Sequence, residues 1–359
     1  MLEVEIKRTL PGFSLDIAFS VNEEILGILG PSGSGKTMTL QCIAGLIQPD
    51  QGKIQLNDKV LFDSSERLNL PPQVRKIGLV FQNYALFPHL TSAENIAYGI
   101  NNCSKEEVGE RVETLINKMN LGGLQNRYPK QLSSGQQQRV AIARALAPEP
   151  EVLLLDEPFS ALDSLVKEQL ELELLNLQKF YRGHIILVTH NLTEAYRLSS
   201  KLAVYESGKI IQCDQKEKVI SSPANKKVAR ITKYTNLMDG FITEIRDSSI
   251  WVMVPTLGTN LKVARNGHNG LAVDQHVTIG IRPEYVKMAQ GLGQNAFLSS
   301  LDHTVESIAT TNCYFYSYNN SGESYYLETI FMKSDAMHIT DGQKYYLYFP
   351  SENLALITD

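Results

Sequence analysis

No apolar run in the 359 residues reaches the roughly 18 that a membrane-crossing helix needs. The opening MLEVEIKRTL lacks the apolar core of a secretory signal. Cysteine is scarce. Cys42, Cys103, Cys213 and Cys313 are too widely spaced for a zinc ligand set or a disulfide framework, and they suit a reducing compartment. An excess of positive charge is also missing: the net charge is −5, which gives no basic footprint for nucleic acid. Low-complexity tracts and solenoid repeats do not stand out. These absences predict a soluble cytosolic protein with no nucleic-acid partner, which acts at a membrane only through other proteins.

The length favours two domains, each able to bury a core. From Met1 to about residue 235, apolar runs alternate with helical patterns. Ile25–Gly30, Ile77–Phe81, Val152–Asp156 and His184–His190 read as strands buried on both faces. Leu170, Leu174, Leu177 and Tyr181 recur at helical spacing. The pattern predicts a parallel α/β core. Residues 236–359 are rich in β-branched and aromatic residues between turn clusters, which predicts an all-β barrel. Asn319–Ser324 reads as a hairpin turn, and one short helix is expected near Met332.

The strongest motif is GPSGSGKT, Gly30, Pro31, Ser32, Gly33, Ser34, Gly35, Lys36 and Thr37. It follows a predicted strand and opens a predicted helix, which is the context of a phosphate-binding loop. Glycines let backbone N–H groups turn towards phosphate oxygens, and the helix N-terminus adds its dipole. Lys36 is expected on the β- and γ-phosphates and Thr37 on Mg²⁺. Asp156 ends the run VLLLD, where a carboxylate can hold Mg²⁺ through water. Glu157 comes next and is placed to polarise an attacking water, or else to begin a solvated turn. Further on, LSSGQ (Leu132–Gln136) reads as a capping box, with Ser133 or Ser134 answered three residues later by Gln136 or Gln137.

Taken together these segments resemble the ATP-binding-cassette ATPases. GPSGSGKT looks like their Walker A, LLLDEP their Walker B with catalytic glutamate, and LSSGQ their signature. Gln82 in VFQNYALFPHLT looks like the Q-loop glutamine, Ser160–Asp163 the D-loop, and His190 in LVTHN the switch histidine. The match covers about residues 1–235, in order and with the family's spacing, and implies a helical subdomain over about 84–148. It implies an ATPase using ATP and Mg²⁺, with Glu157, His190 and Gln82 catalytic and Thr37, Gln82 and Asp156 at the metal. The resemblance also implies a head-to-tail homodimer. Ser133, Ser134, Gly135 and Gln136 of one copy would then close on the nucleotide of the other; a helix N-terminus with free amides is suited to that. If only the cap mattered, Gly135 could be alanine at little cost. Asp163 has two readings, a contact between D-loops and a helix cap. So has Phe13, as the adenine-stacking ring or as strand core.

In transporter members of the family the segment after the glutamine receives the membrane subunit. Tyr84, Leu86, Phe87 and His89 are read as a surface patch within Gln82–Thr91 for a permease, or as side chains folded onto the helical subdomain. Val277–Val286 with its IRPE, and the ending YYLYFPSENLALI, resemble the OB-like (TOBE) barrel of importer ATPases, where it dimerises or regulates. The resemblance thus implies a peripheral subunit on the cytoplasmic face of the membrane, fed indirectly by an extracytoplasmic solute-binding protein. The compact leading strands look most like those of molybdate importers, which makes molybdate or tungstate the first expectation. Sulfate, ferric iron, polyamine or sugar import is the alternative, and a non-transport cassette ATPase is a different class.

Overall fold

The computed structural model describes residues 1–359 apart from 23, 102, 266–269, 319–323, 337–338 and 359. The chain forms two compact units, Met1–Lys216 and Glu217–Asp359. The first opens on a hairpin of β1 (Leu2–Leu10) and β2 (Phe13–Val21), whose side chains alternate between buried and exposed. Strand β3 (Ile25–Leu29) is buried throughout and leads through the phosphate loop into α1 (Lys36–Ala44). Strands β4 (Gln51–Leu56), β5 (Lys59–Asp63) and β6 (Leu68–Asn69) return antiparallel beside β1. After β7 (Ile77–Val80) come the helices α2 (Ser92–Ala97), α3 (Lys105–Lys118) and α4 (Ser134–Leu146). The remainder is β8 (Val152–Asp156), α5 (Ser164–Leu177), β9 (His184–Thr189), α6 (Leu192–Leu198), β10 (Lys201–Glu206) and β11 (Lys209–Gln215).

All eleven strands join one sheet, ordered β6-β5-β4-β1-β2-β11-β10-β3-β9-β8-β7. Strands β10, β3, β9, β8 and β7 pair in parallel, as the apolar runs predict. The expectation of a parallel core from Met1 onwards is corrected here, because the first strands form an antiparallel flank. Their strict alternation presents one face to the core and the other to water, which antiparallel pairing tolerates. Apolar clusters lie on both sides of the sheet, one built around α1 and the other around α4 and α5. Helices α2, α3 and α4 each start at a full capping box, set by Thr91 with Glu94, Ser104 with Glu107, and Ser133 with Gln136. Helix α5 carries Leu170, Leu174 and Leu177 inwards but stops there, so Tyr181 lies beyond its end.

In the second unit, α7 (Lys216–Ser221) and α8 (Lys226–Ile231) precede the strands. The units divide earlier than the change of texture near residue 235, because this helical segment packs with the β-rich half of the chain. Tyr234 and Ala229 sit with Ala355 and Ile357 in one buried cluster, and Arg282 donates to the carbonyl of Thr232 at the end of α8. One antiparallel sheet combines β12 (Asn236–Ile245), β13 (Ser249–Val254), β14 (Thr259–Ala264) and β15 (His276–Ile281) with the last strand. The other combines β16 (Lys287–Ala289), β17 (Ala296–Glu306), β18 (Thr310–Tyr318), β19 (Ser324–Met332) and β20 (Lys344–Tyr348). The last strand, β21 (Ala355–Ile357), pairs with β15. The sheets are two half-barrels of an OB-like domain that share one apolar core. The expected turn at residues 319–323 lies outside the described residues. The short helix near Met332 is α9 (Lys333–Ala336).

Candidate functional site

The phosphate loop sits where the parallel strands end, the side of an α/β sheet that binds ligands. Gly33 and Gly35 take left-handed φ of 78° and 102°, which glycine adopts without strain. A side chain at Gly30 would strike the Tyr205 carbonyl and the Ser34 hydroxyl. That Ser34 hydroxyl is buried and has no partner, an unused donor inside the loop. Pro31, Ser32 and Gly33 form its exposed rim. Lys36 folds back across the loop: its Nζ donates to the carbonyls of Gly30 and Pro31, each at 2.9 Å. Burial pulls its pKa below the lysine range, while Glu157 and Asp156 oppose the shift. Phe13 opens β2 half-buried, with its ring against the backbone of Gly35.

Asp156 ends the buried strand β8 and accepts a hydrogen bond from the Thr37 hydroxyl at 3.0 Å. Burial raises the Asp156 carboxyl, the Thr37 bond lowers it, and repulsion from Glu157 raises it further. A hydroxyl and a carboxylate side by side, both hard oxygen donors, suit Mg²⁺ beside a phosphate. The next residue, Glu157, has a φ of 44°, in the left-handed region that residues with a Cβ avoid. Its N–H donates to the Val188 carbonyl at 3.0 Å, which fixes the turn. The side chain is thereby aimed at two others: His190 Nδ1 lies 3.1 Å from Glu157 Oε2, and Gln82 Nε2 lies 3.4 Å from it. The Ser160 hydroxyl completes the group, 3.3 Å from Gln82 Nε2 and donating to the Glu157 carbonyl at 3.0 Å. A carboxylate, a histidine and an amide thus converge at the end of the phosphate loop's own sheet.

Ser133 caps α4: its hydroxyl accepts from Gln136 N–H at 3.3 Å, and the Gln136 side chain accepts from Ser133 N–H at 3.0 Å. Ser134 opens the helix partly exposed and Gly135 is buried. Even if only the cap mattered, alanine at Gly135 would not be cheap. A Cβ there would collide with the Val166 methyl on α5. Asp163 caps α5 through Val166 N–H at 3.1 Å, so the cap reading of Asp163 is realised in this chain.

In the segment Gln82–Thr91 the inward reading holds for Tyr84 and Leu86. Tyr84 is buried, only 7% exposed, and Leu86 packs against the helical cluster. Pro88 and His89 are exposed, and the Phe87 ring packs on Tyr98 with centroids 4.2 Å apart. Tyr84 and Ala85 are consecutive left-handed residues (φ 63° and 45°), and Tyr84 is buried while Ala85 is exposed. The buried Asn95 closes the segment, accepting from Phe87 N–H and donating to the carbonyls of Phe87, Leu90 and Thr91. Sequence reasoning did not single out Asn95, Arg144 or Val166, and it read Ser160 only as part of the D-loop. The available signal was a lone arginine in the apolar run VAIARAL. A cleft of about 1150 Å³ opens at the opposite ends of β8 and β9, and none of the motif residues lines it.

The fold and this site define a P-loop ATPase of the cassette type. The family described as ABC transporter matches residues 15–160. The chain is similar to the spermidine/putrescine import ATP-binding protein PotA of Nitrosospira multiformis, at 39% identity over 74% of this chain and 71% of that one. It is 37% identical to the PotA of Chromobacterium violaceum over 81% of each chain. The PotA of Thermotoga maritima is 40% identical over 79% of this chain and 74% of that one. Among solved structures, the dimeric ATP-binding cassette MJ0796, bound to ADP and Pi, aligns with a TM-score of 0.52 at 30% identity. It covers 60% of this chain and 98% of its own. The chain belongs to the ATP-binding subunits of ABC transporters, ATPases coupled to transport.

Proposed function

We propose that this chain powers the import of a polyamine such as spermidine or putrescine. The observation that carries the reading is the likeness to several PotA proteins at 37–40% identity, with matches reaching 81% of the chain and so extending past the ATPase core. This replaces molybdate or tungstate, which rested on the compact leading strands, by one of the alternatives. The chain works as a homodimer, as the dimeric relative suggests. It docks against membrane subunits at the cytoplasmic face, with the solute delivered by an extracytoplasmic binding protein. Among the described residues no helix is long and apolar enough to cross a membrane. The docking surface within Gln82–Thr91 is formed by Phe87, Pro88 and His89, with Tyr98 beside it at 62% exposure, rather than by Tyr84.

ATP hydrolysis is a consequence of the geometry. The loop amides of Gly33 to Thr37 and the ammonium of Lys36 hold the phosphates. Thr37 and Asp156 would hold Mg²⁺, which offsets phosphate charge when bound. Glu157 takes the proton of the water that attacks the γ-phosphorus, the bond to the bridging oxygen breaks, and ADP and phosphate leave. His190 and Gln82 orient the water and Glu157. Ser134 and Gly135 of the partner copy offer their amides to the same nucleotide, and Phe13 borders the adenine side. The test is uptake of labelled spermidine, putrescine and molybdate in cells lacking this chain. Loss of polyamine uptake, restored by the wild-type chain but not by Glu157→Gln, is the expected result. Loss of molybdate uptake alone would overturn the substrate reading.

A further inference from the structure

We propose that Arg144 is a positioning residue for ATP hydrolysis, acting through Gln82. Arg144 lies on α4, the helix whose first turn carries Ser134 and Gly135. Its guanidinium reaches across to the segment after β7, donating to the Tyr84 carbonyl at 2.8 Å and to the Ala85 carbonyl at 2.7 Å. Those carbonyls belong to the two left-handed residues, a conformation that persists only where its surroundings hold it. A planar fork of donors suits two neighbouring carbonyls better than a single ammonium does. The guanidinium also lies over the Phe87 ring, 5.4 Å from its centroid.

Gln82 stands two residues before Tyr84. It is exposed, so its own packing does not fix where its amide points. The backbone just after it does, and Arg144 holds that backbone. A shift of α4 therefore drags the Tyr84 and Ala85 carbonyls with it, and sets whether the Gln82 amide reaches Glu157 and Ser160. The last turn of the signature helix and the backbone that follows the catalytic amide are thus joined by one side chain. Asn95 secures the far end of the segment independently, so loss of Arg144 loosens the Gln82 end without releasing the rest.

The experiment is a double-mutant cycle on steady-state ATP hydrolysis by the purified full chain, comparing Arg144→Ala, Gln82→Ala and the double variant, with Arg144→Lys beside them. Arg144→Ala should lower kcat about tenfold and leave KM for ATP within about twofold, because the phosphate loop is untouched. Arg144→Lys should recover part of the loss. The double variant should be no slower than Gln82→Ala alone, since a residue that acts through another adds nothing once that other is gone. A wild-type kcat for Arg144→Ala overturns the proposal, and so does a double variant in which the two losses multiply. Should Arg144→Ala not fold, Arg144→Lys with Gln82→Ala completes the same cycle.

Discussion

The Val166 methyl occupies the space that a side chain on Gly135 would need. The signature glycine is therefore a packing residue within its own chain, whatever its amide does for a partner copy. Val166 is also the residue whose N–H donates to Asp163, so the starts of α4 and α5 interlock at one point. Gly135→Ala should overpack this contact and cost about 1–3 kcal/mol. Val166→Ala in the same chain should restore most of that stability. Thermal unfolding of the two single variants and the double reads the outcome, and ATPase rates on the same samples separate packing from chemistry. If the double variant recovers stability but not turnover, the backbone of Gly135 must approach the nucleotide too closely to tolerate a methyl group.

Glu157→Gln should cut hydrolysis by about 10² to 10⁴, the range for loss of a general base. ATP binding should survive, because Lys36 and the loop amides are unchanged. The variant should then accumulate as an ATP-bound dimer, visible by size-exclusion chromatography with light scattering. Rapid hydrolysis by the purified variant would remove Glu157 from the base role.

Much of this site was legible because its parts are local. The phosphate loop, the strand ending in Asp156 and the cap at Ser133 each depend on residues within a few positions of one another. The strands at Ile25, Val152 and His184 were legible because short apolar runs in this setting have few other uses. What escaped depends on distant partners or on backbone angles that composition does not reveal. Tyr84 stayed open between a surface aromatic and one folded inward, because nothing in NYALFPH announces two consecutive left-handed residues. The packing of Gly135 on Val166 escaped because the obstacle comes from another helix. The antiparallel flank was missed although LEVEI alternates, since the strong α/β pattern downstream was extended back to Met1.

Thr37 and Asp156 share one hydrogen bond, and that pairing makes a specific demand on the metal. Thr37→Val keeps the shape of the side chain and removes an oxygen donor. It should raise the Mg²⁺ concentration for half-maximal hydrolysis by about tenfold or more, a figure at the low end of what loss of one metal-site group costs. Chelation of Mg²⁺ should abolish turnover in the wild type, with recovery on adding the ion back. An unchanged Mg²⁺ titration for Thr37→Val would place the metal elsewhere.

Asn236 ties together the two sheets of the second unit. It is 1% exposed, its amide donates to the Glu328 carbonyl at 2.8 Å, and its carbonyl accepts from Glu328 N–H at 2.9 Å. The pair matches the backbone of β19 from a side chain on β12, which an apolar residue of the same size cannot do. Asn236→Leu would leave the part-buried N–H and C=O of Glu328 without these partners, and a fully buried group so stranded costs about 1–3 kcal/mol. The second unit should then unfold at lower temperature, seen as a separate early transition by calorimetry. ATP hydrolysis measured below that transition should stay near the wild-type rate, because every residue of the nucleotide site lies in Met1–Lys216. A single unfolding transition shifted as a whole would mean instead that the two units unfold cooperatively, and that Asn236 stabilises both.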